Sequence, residues 1–191
     1  KTPVTAIAGF AETLLAGAKD DPEALDNFLH IIQSESQRLS QLIQDTLALS
    51  RVGESNDHIE KVTIAPLVQN ALNSIQQPIA DRKLHVNVEL DADLALETNK
   101  SKLSQIVRNL VNNAVFYNKD GGTLSIVGVR TNGGIRLQVS DTGVGIADDE
   151  QQRIFERFYR VDKARSRNSG GTGLGLAIVS ELVEALGGSI H

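Results

Sequence analysis

Apolar residues recur at intervals of three and four along the first fifty residues, a spacing that predicts two amphipathic helices. The first is predicted over residues 4–18, and Gly17 and Pro22 then act as helix breakers. The second is predicted over residues 22–52. Two helices joined by a short loop form a hairpin. Because one hairpin leaves part of its apolar stripes uncovered, we expect a homodimer in which two hairpins pair as a four-helix bundle.

The pattern changes after a polar segment at residues 53–59, which predicts a linker. Beyond it, short apolar or alternating stretches predict strands at 61–64, 84–90, 123–130 and 135–141, and Asn132-Gly133-Gly134 predicts a hairpin turn between the last two. Helical periodicity is predicted over 65–80, 99–117 and 172–186. We expect antiparallel strands with one face covered by helices, an α+β sandwich. The domains are therefore predicted as 1–52 and 60–191.

Composition narrows the class of protein. Hydrophobic residues make up 40% and charged residues 23% of the 191-residue chain, as in ordinary globular proteins. The net charge of −5 disfavours a nucleic-acid partner, and the absence of cysteine excludes thiolate chemistry and Cys-ligated metals. No apolar run reaches the roughly 20 residues of a membrane span. Because the chain opens on Lys1 and has no Met, we expect it to be a piece of a longer protein without membrane contact of its own.

Three polar residues in the predicted helix 99–117 are the first candidates for chemistry. Asn109, Asn113 and Tyr117 are four apart and therefore share one helix face. Neutral amide oxygens suit Mg²⁺, which takes few protein ligands and binds nucleotide phosphates. A solvated polar face explains the same pattern equally well.

Two glycine-rich segments follow. Asp141, Gly143 and Gly145 come directly after a predicted strand, where the carboxylate could accept a hydrogen bond from an amine such as that of adenine. A simple turn is the alternative. The second segment opens the last helix, where backbone N–H groups form an anion site, although a hinge would also need glycines. It has neither a Walker nor a Rossmann pattern, and its residues are Gly170, Gly171, Thr172, Gly173, Leu174, Gly175 and Leu176.

An aromatic segment lies between the two glycine-rich segments. Phe155, Phe158 and Tyr159 are three of the seven aromatic residues (five Phe, two Tyr) and could simply anchor a loop. Residues 161–170 are rich in Lys, Arg, Ser and Gly, which predicts a mobile basic loop suited to closing over phosphates.

The order of these four segments resembles the N, first glycine, F and second glycine boxes of sensor histidine kinases, of the phosphate-regulon type. Thr2-Pro3 before the first helix resembles the end of that family's phosphoacceptor motif, His-Glu-x-Lys-Thr-Pro. The resemblance covers nearly the whole chain. It implies a dimeric hairpin, an ATPase domain of the GHKL type, and an enzyme that phosphorylates its own histidine with ATP. It also implies transfer to an aspartate of a response regulator, phosphatase activity, and a cytoplasmic location beneath a membrane-anchored sensor.

The same resemblance assigns roles by position. It implies that Asn113 ligates Mg²⁺ with support from Asn109, that Asp141 binds the adenine amine, and that Arg160 approaches the phosphates. The remaining implied ATP contacts are Tyr117, Gly143, Gly145, Ile146, Phe158, Gly171, Thr172, Gly173, Leu174, Gly175 and Leu176. Thr2 takes the position that helps dephosphorylate the regulator. The regulator is expected to dock near Ile7, Phe10, Ala11 and Leu14.

Several positions depart from the family pattern. The acceptor histidine is expected just before Lys1, because no histidine of the chain has the acceptor motif; the four are His30, His58, His85 and His191. Phe116 stands where many relatives have a basic residue, and Lys119 could compensate. Closing strands of the sheet are expected beyond residue 191. Two alternatives remain: another ATPase of this superfamily, such as a chaperone or mismatch-repair protein, and a scaffold that has lost nucleotide binding. The hairpin disfavours the first, and the intact motif residues disfavour the second.

Overall fold

A computed structural model describes residues 2–50, 58–161 and 171–191. Helix α1 (Pro3–Leu15) begins with proline in its first turn, where a missing N–H group is tolerated. It ends three residues before the predicted position 18, and a 3₁₀ turn (Ala18–Asp20) leads into α2 (Pro22–Ser50). The rings of Phe10 and Phe28 lie 5.2 Å apart between the two helices. The predicted hairpin is therefore present, while positions 51–57 lie outside the described residues.

The second domain alternates strands and helices. Its strands are β1 (Glu60–Thr63), β2 (His85–Leu90), β3 (Ala95–Thr98), β4 (Thr123–Thr131) and β5 (Gly134–Asp141). Its helices are α3 (Ile64–Ser74), α4 (Gln76–Asp81), α5 (Lys100–Phe116) and α6 (Gly175–Ala185), with a 3₁₀ turn at Arg153–Phe155. None of the described helices is both long and apolar enough to cross a membrane.

The strands form two small sheets. In one, β1 pairs antiparallel with β3; in the other, β4 lies between β2 and β5. The β4–β5 pair is the predicted antiparallel hairpin, but β2 runs parallel to β4, so the expectation of antiparallel strands was wrong there. Strand β3 and helix α5 connect β2 to β4, and a crossover of this length allows the chain to return in the same direction. Strand β3, which pairs with β1, was not predicted.

Two helix predictions were also wrong in detail. The predicted helix 65–80 is divided into α3 and α4 at Ile75, because Pro78 lacks the N–H group that a continuous helix would bond to the Ser74 carbonyl. Helix α6 begins at Gly175, three residues later than predicted. Gly173 has φ +73, a left-handed conformation that no α-helix contains, so the helix can start only after it.

Helix α5 lies between two apolar clusters. Val107 and Val111 face the first, which fills the space between α3, α5 and the three-stranded sheet. Ile106 faces the second, which is formed mainly by α6. Leu42 and Leu49 of α2 pack against this second cluster, so the hairpin contacts the second domain at α6. The end of α5 is consequently held from both sides, and the candidate site is built around it.

Candidate functional site

The polar face of α5 meets the first turn of α6. Asn109 is 8% exposed, and its Nδ2 donates to the carbonyl of Gly175 at 3.2 Å. Asn113 lies one turn further along and faces the same glycine, whose Cβ, if it had one, would be 3.9 Å from Oδ1 of Asn113. The Asn113 amide makes no hydrogen bond to another described residue. Asn109 therefore joins the two helices, and Asn113 keeps its oxygen available to a ligand.

The Asp141 loop is pressed onto the end of α5. Oδ1 of Asp141 accepts a hydrogen bond from the backbone N–H of Gly143 at 2.8 Å. A Cβ on Gly143 would lie 2.2 Å from the carbonyl oxygen of Tyr117 and would clash with it, so only glycine fits at this position. The N–H of Val144 donates to the same carbonyl at 3.4 Å. Ile146, beyond it, is 43% exposed. The loop is therefore fixed where Gly143 and Val144 contact Tyr117, and it is open to solvent at Ile146.

A polar network that the sequence did not reveal supports this loop. Asn118, 7% exposed, donates through Nδ2 to the Thr123 carbonyl at 3.0 Å. The Thr142 hydroxyl donates to Oδ1 of Asn118 at 3.2 Å and accepts from the Thr123 N–H at 2.9 Å. These bonds tie the end of α5 to the start of β4 and the end of β5. Nothing in the local pattern marks either side chain.

Arg82 was missed for the same reason. Its Nη1 donates to the carbonyls of Val115, Phe116 and Asn118 at 3.1, 2.8 and 3.0 Å. These carbonyls lie at the C-terminal end of α5, where a cation also interacts favourably with the helix dipole. Arg82 therefore caps the helix that carries Asn109 and Asn113.

The aromatic segment and the second glycine-rich segment are packed backbone to backbone. The N–H of Phe158 donates to the Gly173 carbonyl at 2.9 Å. A Cβ on Gly173 would lie 2.9 Å from the carbonyl carbon of Phe158 and 3.0 Å from the carbonyl oxygen of Tyr159. Arg157 and Glu181 join the aromatic segment to α6 through a 2.7 Å ion pair. The two predicted segments are thus a single structural unit.

Tyr117 and Arg160 approach the start of that unit. A Cβ on Gly171 would be 3.4 Å from the Tyr117 hydroxyl and 3.9 Å from Nη2 of Arg160. The structure therefore brings the predicted phosphate-side residues together with the end of α5. Phe158, by contrast, is 65% exposed. Gly170 and the basic side chains predicted to close over the site, Lys163, Arg165 and Arg167, lie outside the described residues.

A cation at this position would depend on few protein ligands. In residues 2–50, 58–161 and 171–191, no three His, Cys, Asp or Glu side chains are grouped as a metal site. The neutral amide of Asn113 beside the N-terminus of α6 fits Mg²⁺ carried by a polyphosphate, because Mg²⁺ takes most of its ligands from phosphate oxygens and water.

Two family models match the chain. Residues 98–191 match the model described as histidine kinase-, DNA gyrase B-, and HSP90-like ATPase, and residues 1–55 match the His Kinase A (phospho-acceptor) domain. The chain therefore belongs to the histidine kinase family, and the predicted fold class is confirmed. A chaperone or mismatch-repair ATPase does not account for the match to the phospho-acceptor domain.

Particular relatives agree with this assignment. The sensor-like histidine kinase SenX3 of Mycolicibacterium smegmatis is 38% identical over 193 residues, which cover 100% of this chain and 50% of SenX3. The structure of histidine kinase ThkA in complex with response regulator TrrA matches with a TM-score of 0.78 and 24% identity, over 98% of this chain and 52% of that one. Full-length ShkA in complex with AMPPNP matches with a TM-score of 0.68 and 24% identity, over 98% and 42%. At these identities the two structures support the fold.

Proposed function

We propose that this chain is the part of a two-component sensor kinase that binds Mg-ATP and transfers its γ-phosphoryl group to a histidine of the hairpin domain. From there the group would pass to an aspartate of a response regulator. The observation that carries the proposal is the convergence of Asn113, Tyr117, Arg160 and the 171–175 segment at the end of α5. Phosphoryl transfer depends on positioning and on neutralising phosphate charge, and these groups provide both. The proposed domain boundary is the linker 53–59.

The adenine end of the proposed site is at Asp141. Its Oδ1 holds the turn through the Gly143 N–H, while Oδ2 accepts no hydrogen bond from the described residues. One carboxylate oxygen is therefore available to the exocyclic amine of adenine. Gly145 and Ile146 form the open edge beside it. A guanine base would present a carbonyl there instead, so Asp141 favours adenine.

The phosphate end is at the start of α6. Backbone N–H groups at a helix N-terminus bind anions, and Arg160 adds a positive charge beside Gly171. Asn113 supplies an oxygen ligand for Mg²⁺, which neutralises the phosphates when bound. The remaining proposed contacts on this side are Thr172, Leu174 and Leu176.

Thermal unfolding tests the nucleotide site. Mg-ATP should raise the melting temperature, because a ligand that binds only the folded state stabilises it by mass action. Asn113→Ala should remove most of this shift. Asn112→Ala is the matched control, since it changes the neighbouring amide of the same helix and should keep the full shift. If millimolar Mg-ATP has no effect on the original chain, the nucleotide site is rejected.

The second step of the reaction concerns the partner. ThkA was solved with its response regulator, and we propose the same class of partner for this chain. Leu14 is buried in the hairpin, so the proposed docking residues that remain accessible are Ile7, Phe10 and Ala11. Incubation of the full-length protein with labelled ATP and a receiver domain should move the label from histidine to aspartate. Retention of the label on the kinase with every receiver tested would contradict this step.

A homodimer through the hairpin is supported by the apolar side chains that one copy leaves exposed. They are half to three-quarters exposed and comprise Val4, Leu15, Leu29, Ile43 and Leu47. Pairing two hairpins would remove this surface from water. Sedimentation should therefore give a dimer, and Ile43→Asp should shift it towards the monomer.

We also propose a phosphatase role for Thr2, which precedes α1. Its hydroxyl lies 2.6 Å from that of Thr5, so it is held at the helix start. Thr2→Ala should slow dephosphorylation of the regulator, whereas Thr5→Ala should preserve most of it. Equal rates for Thr2→Ala and the original protein would reject the role.

A further inference from the structure

A buried carboxylate of the hairpin reaches into the second domain. Asp45 on α2 is only 4% exposed. Its Oδ1 accepts from Nε2 of Gln41 at 2.7 Å, and its Oδ2 accepts from the hydroxyl of Thr172 at 2.8 Å. Thr172 belongs to the glycine-rich segment that is proposed to hold the phosphates. The two side chains are 127 residues apart in the chain.

Thr172 cannot serve Asp45 and a phosphate at the same time. Its hydroxyl has one proton, which is donated to Asp45, and it accepts a hydrogen bond from the Leu174 N–H at 3.2 Å. A phosphate oxygen only accepts hydrogen bonds. The O–H group and one N–H group at the start of α6 are therefore both occupied within the protein while Asp45 is in place.

We propose that Asp45 is a built-in competitor of the nucleotide phosphates, and that the hairpin–domain contact and phosphate binding at Thr172 exclude one another. This inference rests on the proposed nucleotide site. The carboxylate takes the position of a phosphate oxygen on Thr172, and its negative charge opposes a second anion there. Asp45 thereby couples the position of α2 to the occupancy of the nucleotide site.

The coupling has a consequence for the hairpin. When Thr172 turns to a phosphate, Asp45 loses one of its two donors and is left under-satisfied in a buried place, which is unfavourable unless water reaches it. Separation of α2 from α6 exposes it. Nucleotide binding should therefore loosen the Leu42 and Leu49 contacts with α6, and by reciprocity loosening them should favour nucleotide binding. A loosened domain is free to carry its phosphate towards the hairpin histidine.

Nucleotide affinity is the first test, measured on the full chain with Mg-AMPPNP by calorimetry. The Asp45→Ala variant should bind the nucleotide about tenfold more tightly. This factor corresponds to one charge-assisted hydrogen bond from Thr172, for which Asp45 no longer competes. Asp45→Asn should give a smaller increase, because its single amide oxygen can still accept from Thr172. Asp81→Ala is the matched control: Asp81 also accepts from a glutamine four residues earlier at 2.7 Å, but on exposed helix α4. Its affinity should be unchanged.

A double-mutant comparison separates this competition from a merely structural role. Thr172→Val should weaken binding, and Asp45→Ala should raise affinity less in the Thr172→Val background than in the original chain, because only the repulsion between the carboxylate and the phosphates is then removed. If Asp45→Ala raises affinity equally in both backgrounds, its effect does not pass through Thr172, and the proposal is wrong.

A distance measurement tests the proposed separation of α2 from α6. Because the chain has no cysteine, one label can be placed at each of Gln44→Cys and Glu184→Cys, both on exposed positions of α2 and α6. Mg-AMPPNP should lengthen the distance between the labels, and Asp45→Ala should show the longer distance without nucleotide.

The outcomes are distinct. Unchanged or weaker binding by a folded Asp45→Ala overturns the competition and shows that Asp45 organises the loop. If that variant does not fold, Asp45→Asn decides: an increase in affinity supports the proposal, and an unchanged value overturns it. Absence of binding by the original chain would instead reject the nucleotide site itself.

Discussion

Replacing Gly173 with alanine tests whether the packed backbones of the aromatic and glycine-rich segments form the nucleotide site. The new Cβ would lie 2.9 Å from the carbonyl carbon of Phe158, 3.1 Å from its Cα and 3.0 Å from the carbonyl oxygen of Tyr159. All three are backbone atoms, so no side-chain rotation relieves the overlap. One of the two segments has to move.

The expected cost can be worked from the geometry. Gly173 has φ +73, where an L-residue costs about 1–2 kcal/mol. Displacement of the aromatic segment also breaks the bond from the Phe158 N–H to the Gly173 carbonyl, worth about 1 kcal/mol. The sum is about 2–3 kcal/mol. If this free-energy cost opposes nucleotide binding in full, nucleotide affinity falls by roughly 30- to 150-fold, since each 1.4 kcal/mol is tenfold.

Gly187→Ala is the control, because Gly187 has φ +74 and a Cβ there would meet nothing within 4 Å. It lies beyond the end of α6 and should show only the conformational cost, seen as a loss of about 1–2 kcal/mol in the free energy of unfolding by urea. Its affinity for Mg-AMPPNP by calorimetry should match that of the original protein. Undiminished affinity in Gly173→Ala would refute the view that this backbone contact shapes the nucleotide site.

Three further predictions concern recognition and stability. Asp141→Asn can keep its bond to the Gly143 N–H, yet it should lower ATP affinity at least tenfold, with loss of preference over GTP in a competition assay; unchanged preference would remove Asp141 from adenine recognition. Arg82→Ala leaves three carbonyls at the end of α5 without their donor and should cost about 1.5–3 kcal/mol in urea unfolding, and a neutral result would show that water replaces it. Leu124→Ala, fully buried in the core, should cost about 2–5 kcal/mol, whereas a loss below 1 kcal/mol would contradict the packing.

The proposed control of nucleotide binding by the hairpin is based on the contact between the two domains. The contact involves Leu42, Asp45 and Leu49, three side chains of α2 that are three and four positions apart and so share one helix face. Leu42 and Leu49 hold the domains together through apolar contacts that do not involve the proposed nucleotide site. Asp45 alone reaches a residue of the proposed phosphate site, which is why its substitution should alter affinity more than stability.

The sequence by itself determined the hairpin, the long helix α5 and the positions of the glycine turns. Each depends on local rules: apolar periodicity of three and four, an N-cap such as Asn99, and backbone conformations that only glycine tolerates. The order of the motif residues likewise indicated the family, because that order can be read directly from the sequence without knowledge of the fold. The single helix predicted over 65–80 was wrong for a reason that is visible in the sequence, the proline at position 78.

Only the tertiary structure decided what depends on distant partners. The parallel pairing of β2 with β4, the three carbonyls bound by Arg82, and the bond between Asp45 and Thr172 join residues from 33 to 127 positions apart. Such contacts carry no periodic signal, because their free energy depends on which elements pack together and not on neighbours along the chain. Asp45 in the sequence is one more polar residue of an amphipathic helix; only its burial against Thr172 makes it a candidate regulator of the nucleotide site.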